Sequence, residues 1–133
     1  MHVHVLGFRP PIDGVEQAFN TFRLGLKLRK TLPVGSVVFL MDERQKVIFG
    51  RAEVVQVETG PLLAMCEQHA HANHSELAND PAQAAASLFH TMQKIYGPHI
   101  ATGVKKATVV YLRRLPDAEH ERIEQGASMS PDA

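Results

Sequence analysis

The chain has 133 residues, 44% of them hydrophobic and 21% charged, with 14 basic and 14 acidic side chains and a formal net charge of zero. That supports one globular domain able to build its own core, and it excludes the global cationic excess of a strong, non-specific nucleic-acid binder. The lone Cys66 excludes an internal disulfide and a multi-cysteine zinc site; it fits a reducing, cytoplasmic setting.

The start, MHVHVLGFRPP, lacks the basic region and long apolar stretch of a signal peptide. Within it, Val3–Phe8 reads as a first strand, ended by Arg9-Pro10-Pro11 because proline cannot donate to a ladder. Asp13-Gly14 is a turn signal, and Val15–Phe19 reads as one helical turn. Thr21–Leu28 reads as a loop or irregular strand. Pro33-Val34-Gly35 makes a turn before a hairpin of Ser36–Met41 and Val47–Val57, joined by the polar stretch Asp42–Lys46. Gly60-Pro61 breaks the second strand, and Pro61 suits the first turn of a helix with an apolar side at Leu62, Leu63, Met65 and Cys66, ending near Ala72. Asp80 is placed as an N-cap with Pro81 at the first helical position. Ala84, Ala85, Leu88, Phe89 and Met92 then recur at helical spacing through Lys94, and Gly97-Pro98 stops the helix. Ala107–Leu112 reads as a last strand, central to the sheet, ended by Pro116. Asp117–Gln125 reads as a weak helix and Gly126–Ala133 as disordered. No apolar run approaches the ~20 residues needed to cross a bilayer.

The order strand, short helix, hairpin, two helices, strand predicts an α+β fold: a small mixed β-barrel with helices packed on one side. One domain over residues 1–115 is followed by an acidic tail, 116–133. The neutral total hides an asymmetry. Asp117, Glu119, Glu121, Glu124 and Asp132 against Arg122 give the tail a net −4, leaving +4 on the rest. No acid occurs between Glu16 and Asp42, a gap holding Arg23, Lys27, Arg29 and Lys30, or between Asp80 and Asp117, a gap holding Lys94, Lys105, Lys106, Arg113 and Arg114. Such clusters attract phosphates even on a neutral chain; the alternative is two solvated faces.

The runs TFRLGLK, LPVGSVVFLM and VIFGRAEVVQVETGPLLAM, followed by EQHAHANH, IYGP and ATVVYLRRL, resemble the ASCH domain of the PUA-like superfamily over roughly residues 1–115. The resemblance implies a PUA-like pseudo-barrel with a cleft beside a basic loop, and a protein that binds RNA or a nucleotide-like ligand. It also brings in a hydrolase branch that deacetylates N4-acetylcytidine with a Lys, a Thr and a Glu. Here Thr21-Phe22-Arg23 is similar to that branch's Thr-x-Arg. The residue three before Thr21 is Ala18 in place of Lys, and the residue four after His69 of the His69-Ala70 pair is Asn73 in place of Glu, with Glu76 nearby. A threonine hydroxyl without a base is a poor nucleophile, so Thr21 reads as a hydrogen-bonding residue.

The expected ligand site is therefore Thr21, Arg23, Lys27, Arg29 and Lys30 on the basic segment, with His69, Asn73 and Tyr96 opposite. If Thr21–Lys30 is extended, Arg23, Lys27 and Arg29 project to one side, and arginine can grip a phosphate bidentately. The alternative for Arg23 is an internal pair with Glu53 or Glu58. His69, His71 and His74 do not share one helical face, so a metal is not expected, and neither is a cofactor. Tyr96 either stacks on a base or packs under the barrel. Cys66 reads as a buried, inert thiol. The expected partner is RNA or a nucleotide-like ligand; a hydrolase of modified nucleosides or RNA, with His69, His74 or Glu76 as base, and a protein-docking module are the alternatives.

Overall fold

The computed structural model describes residues 4–9, 17–77 and 80–116. Along the chain come β1 (His4–Phe8), β2 (Ala18–Leu24), α1 (Lys27–Thr31), β3 (Val37–Asp42), β4 (Val47–Pro61), α2 (Leu62–His69), a 3-10 turn over Ala70–Ala72, α3 (Pro81–Tyr96) and β5 (Lys106–Arg114). The strands form one mixed sheet in the spatial order β1-β3-β4-β5-β2. β1 runs parallel to β3, and the other pairs are antiparallel. This is the expected α+β class, a curled half-barrel with helices alongside. Among the described residues no helix is long and apolar enough to cross a membrane.

β5 shows why the sheet is buried on both sides. Its Val110 and Leu112 join Phe8, Phe19 and Leu40 in a core inside the curl. The alternate residues Ala107 and Val109 belong to a second core, with Leu62, Cys66 and Leu88 of the helices. A strand covered on both faces reads as a continuous apolar run, which is how Ala107–Leu112 was legible as central. Each fully buried Phe or Leu adds about 1.5–3 kcal/mol, so both layers contribute to stability.

The edges of the sheet are β1 and β2, and the curl brings them towards each other. The rings of Phe8 and Phe19 meet edge to face with centroids 6.0 Å apart. No ladder joins the two edges. Arg23 Nη2 instead donates to the Gly7 carbonyl across the seam at 2.6 Å.

Several local expectations change. Phe19 lies in β2, not in a helical turn, because Ala18–Leu24 pairs with β5 along its whole length; Val15 and Glu16 lie outside the described residues. Thr21–Lys30 is not one extended segment. The strand ends at Leu24, Gly25 turns the chain at φ +86°, a value L side chains rarely adopt, and Lys27–Thr31 is helical. β4 runs on through Gly60 to Pro61, which pairs with Lys106; a proline at the last position of a strand interrupts no interior ladder. Pro61 is then the N-cap of α2 rather than its first turn. The α3 reading holds: the Asp80 carboxylate accepts from the Ala82 N–H at 3.0 Å with Pro81 next in line. The expectations for 117–133 lie outside the described residues.

One buried polar network fastens the helical layer to β2. Asn20 Nδ2 donates to the His69 carbonyl at 2.8 Å. Asn73 Nδ2 donates to Asn20 Oδ1 at 3.3 Å, and Asn73 Oδ1 accepts from the Ser75 N–H at 2.9 Å and hydroxyl at 2.7 Å. The His74 N–H closes it on the Asn20 carbonyl at 3.2 Å. Removing one member strands several buried groups, at about 1–3 kcal/mol. Asn20→Ala is therefore expected to lower unfolding free energy by about that amount in urea titration, and an unchanged midpoint would contradict this account.

Candidate ligand-binding cleft

The seam between β1 and β2 opens into a cavity of about 430 Å³. It is walled by Gly7, Phe8 and Arg9 from β1 and its exit, by Thr21–Arg23 of β2, and by Glu43 of the hairpin turn. The Asn73–Ser75 segment and the C-terminal half of α3, from Leu88 to Tyr96, complete it.

Strand alternation decides what β2 contributes. Thr21 pairs with Val110 and Arg23 with Thr108, so both side chains lie on the inner face of the curl. Asn20 and Phe22 project to the helical side. The Asn20 carbonyl accepts from His74 rather than from β5, so its main-chain groups point outward. By the antiparallel alternation the main chain of Phe22 also faces the seam.

Arg23 dominates the electrostatics. Beyond the bond to Gly7, its guanidinium lies over the Phe8 ring, 5.3 Å from the centroid. Its Nε is buried and meets no hydrogen-bond acceptor among the described residues. The expected alternative pairing with Glu53 or Glu58 does not occur: Glu53 pairs with Arg113, and Glu58 accepts from Gln56 at 2.8 Å. Burial pushes the Arg23 guanidinium below its ordinary value, while Tyr96 and the Glu43 carboxylate act in the opposite direction. Arginine stays protonated regardless, so the seam holds a cation whose donors outnumber its acceptors.

Glu43 is the carboxylate of the cleft, and it was not singled out in the sequence, where it reads only as a turn residue. Its N–H donates to the Phe8 carbonyl at 3.0 Å, and its side chain crosses Gly7. A Cβ at that position would stand 2.5 Å from Glu43 Oε1, so glycine is what lets the carboxylate lie against β1. Arg9 Nε stands 3.6 Å from Glu43 Oε2 at the exposed side.

His74 is a further half-buried titratable group of the cleft. Its ring meets Phe8 edge to face at 4.9 Å, and its Nδ1 is buried without a partner among the described residues. Burial first, and the Arg23 charge second, push its pKa down from 6.5 to about 4. At neutral pH it is an uncharged hydrogen-bonding group rather than a cation.

The cleft thus brings together Thr21, Arg23, Asn73 and Tyr96 of the expected residues. It does not include Lys27, Arg29 and Lys30, which are exposed on α1 because the chain turns at Gly25. Nor does it include His69, whose Nδ1 is 2.6 Å from the Tyr111 hydroxyl on the helical side; burial lowers its pKa, with Glu58 opposing. Asn73 faces the cleft while its amide is committed to Asn20 and Ser75. Glu76 is buried, accepts from Ser87 at 2.8 Å and lines no part of the cavity. Ala18 lies at the exposed start of β2, an odd number of positions from Thr21 and so on the opposite face. Cys66 is fully buried, its thiol pushed up to about 12. Among the described residues no three His, Cys, Asp or Glu side chains gather as a metal set.

No protein-family model matches the chain, and no curated protein is similar to it in sequence. Among solved structures the fold is similar to protein EF3133 of Enterococcus faecalis, described by the family model DUF984, at 15% identity over 82% of this chain and 67% of that one, with a TM-score of 0.55. Structures of the ASCH protein of Zymomonas mobilis also match. One, a mutant form, covers 90% of this chain and 78% of that one at 15% identity and a TM-score of 0.46. Another covers 82% and 65% at 16% identity and a TM-score of 0.45. At these identities the likeness concerns the fold.

The folded protein keeps His74 neutral down to about pH 4, whereas an unfolded chain protonates it near 6.5. Its contribution to stability is thus complete above pH 6.5 and is lost as pH falls towards 4, of order 3 kcal/mol in all. The His74 ring is expected to titrate near 4 by NMR, and in Arg23→Gln its midpoint should move up. A wild-type midpoint at or above 6.5 would show that the ring is not desolvated.

Proposed function

We propose that the cleft binds a single nucleotide-like ligand, either free or as one unit of an RNA, in a cytoplasmic setting. The observation that carries the reading is Arg23: a cation in the cleft wall, joined to one carbonyl and one aromatic face, with no carboxylate in ion-pairing distance among the described residues. A buried charge is stable when paired, and a phosphate or carbonyl oxygen reaching the guanidinium from the cavity would pair it.

The rest of the cleft fits the same ligand. A volume near 430 Å³ is in the range of small-ligand sites, enough for one nucleotide unit rather than a strand. Tyr96, Ile95 and Met92 of α3 and the edge of Phe22 supply an apolar wall for a base, with stacking on Tyr96 contributing about 1–3 kcal/mol. Thr21, neutral His74 and Ser75 offer polar groups along the other side, able to bond a base edge or a sugar. Zero net charge agrees with a shape-defined site for one unit.

A second reading, hydrolysis of an acylated nucleoside, is favoured by one observation: the Glu43 carboxylate and the Thr21 side chain line the same cavity. Glu43 would be its general base, as the one carboxylate that lines the cavity; His69 and Glu76 do not reach it.

Calorimetric titration with nucleoside monophosphates separates these readings. Arg23→Gln is expected to weaken binding at least tenfold and Arg23→Lys nearly as much, because lysine keeps the charge but loses the fork. Binding unaltered in both variants, with a folded Tm, would sink the assignment. In the hydrolase reading, product release from acylated nucleosides must vanish in Glu43→Gln while binding persists; activity retained there rules Glu43 out as base.

A further inference from the structure

The helices cover the outer face of the sheet over only part of its width. Phe22, Ala107 and Val109 of β2 and β5 share one core with α2 and α3, and no residue of β1 or β3 belongs to it. On that other half, Leu6, Val38, Leu40 and Ala52 point into the core inside the curl, so the residues that alternate with them point out. These are Val5 on β1, Val37, Phe39 and Met41 on β3, and Ile48 on β4. They are neighbours across the ladders: Val5 stands opposite Phe39, and Met41 opposite Ile48. Val5 is 46% exposed, Val37 46% and Ile48 47%, which a strand lying under a second layer does not leave open. Phe39 and Met41 are half-buried between them. The strip stops at Gly7, the next outward position of β1, where Glu43 lies over the backbone.

The charged groups of this face are engaged within the chain. Glu53, opposite Val37, pairs with Arg113. Arg51, opposite Phe39, donates to the Pro116 carbonyl at 3.3 Å. Nothing here favours a strongly acidic or strongly basic partner. The chain as a whole carries no net charge, so two copies approach without mutual repulsion. Three strands about 4.8 Å apart, with about five residues each at about 3.3 Å, lay out roughly 250 Å² of sheet. Soluble monomers rarely leave a contiguous apolar patch of more than a few hundred Å² open.

We infer that this face is an interface between two copies of the chain, packed sheet against sheet about a two-fold axis. A two-fold contact uses the same patch on both subunits, so the patch must complement itself. A flat, apolar face whose charges are already paired does so. Face-to-face sheets pack about 10 Å apart, and each copy then supplies the layer that the other lacks. Val5, Val37 and Ile48 leave water on both sides in the same step. The interface lies outside the cleft and does not depend on what the cleft binds. A contact of this size belongs to the weaker specific assemblies, and an apolar one is not screened by salt as an ionic one is.

Sedimentation equilibrium of the full chain across the micromolar range tests it, at low and high salt. Wild type is compared with Val5→Lys/Val37→Lys and with Leu63→Lys/Val104→Lys. Leu63 on α2 and Val104 before β5 are at least as exposed but lie on the helical side. Tm verifies that each variant folds, and Ile48→Lys is a second variant on the same face. Wild type is expected to reach the mass of two chains at both salt concentrations. Val5→Lys/Val37→Lys should raise the dissociation constant at least about tenfold, and Leu63→Lys/Val104→Lys should change it less than about twofold. In unmutated protein the Met41 methyl resonance should move with concentration. Wild type that keeps the mass of one chain throughout overturns the inference, whatever other partner the face then takes. So does a dimer that Val5→Lys/Val37→Lys and Ile48→Lys leave intact, or one that the helical-side variant weakens equally, because its contact then lies elsewhere.

Discussion

The bond from the Arg23 guanidinium to the Gly7 carbonyl is the constraint on which the site depends. A sheet that curls this far has two options at its open edges. It can close with a ladder, which fills the gap with main chain, or leave the edges apart and exposed, which invites pairing with other chains. Here a side chain crosses instead. The seam is tied at one point and stays open around it, and the opening is the cavity. Gly7 makes the tie possible from the other side as well. Its carbonyl takes the guanidinium while its missing side chain admits the Glu43 carboxylate, so one short residue of β1 lies between the acid and the cation of the cleft.

β2 carries both the site and its support. Its inward residues, Thr21 and Arg23, face the cavity; its outward residue Asn20 anchors the segment Asn73–Ser75 that forms the opposite wall. Because a strand fixes successive side chains on opposite faces, the two duties cannot interfere, and the wall is registered to the strand through the Asn20–Asn73 bridge. A cleft whose walls are set by buried hydrogen bonds holds its polar groups in place before a ligand arrives, which is what lowers the cost of binding.

What was legible in the sequence follows the range of the interactions. The Asp80-Pro81 start of α3, its Gly97-Pro98 stop, the hairpin of β3 and β4 and the doubly buried β5 are written in neighbouring residues, and all were readable. β2 was not, because AFNTFRL mixes polar and apolar side chains on both faces; it is a strand through its pairing with β5, some ninety residues later. α1 was not legible as a helix, and Thr21–Leu28 reads as a loop or irregular strand, since five residues are too few to show a helical period. Tyr96, Thr21, Arg23 and Asn73 were named together and line one cavity. Glu43 was not, because only the parallel β1–β3 pairing and its bond to Phe8 turn a hairpin residue into a cleft wall. His74 carried no local sign of its burial, which comes from Phe8 and Phe19 of two other strands.

The turn that precedes α1 explains how charge is distributed. Read as one extended segment, Arg23, Lys27, Arg29 and Lys30 make a single basic loop. The turn at Gly25 divides them by environment. Arg23 is left where the local dielectric is low and each unit of charge is felt strongly. The three on α1 stand in water, where each contributes little alone and is screened by salt. One glycine with positive φ therefore separates a buried cation from three solvated ones within eight residues of sequence, on a protein with no net charge.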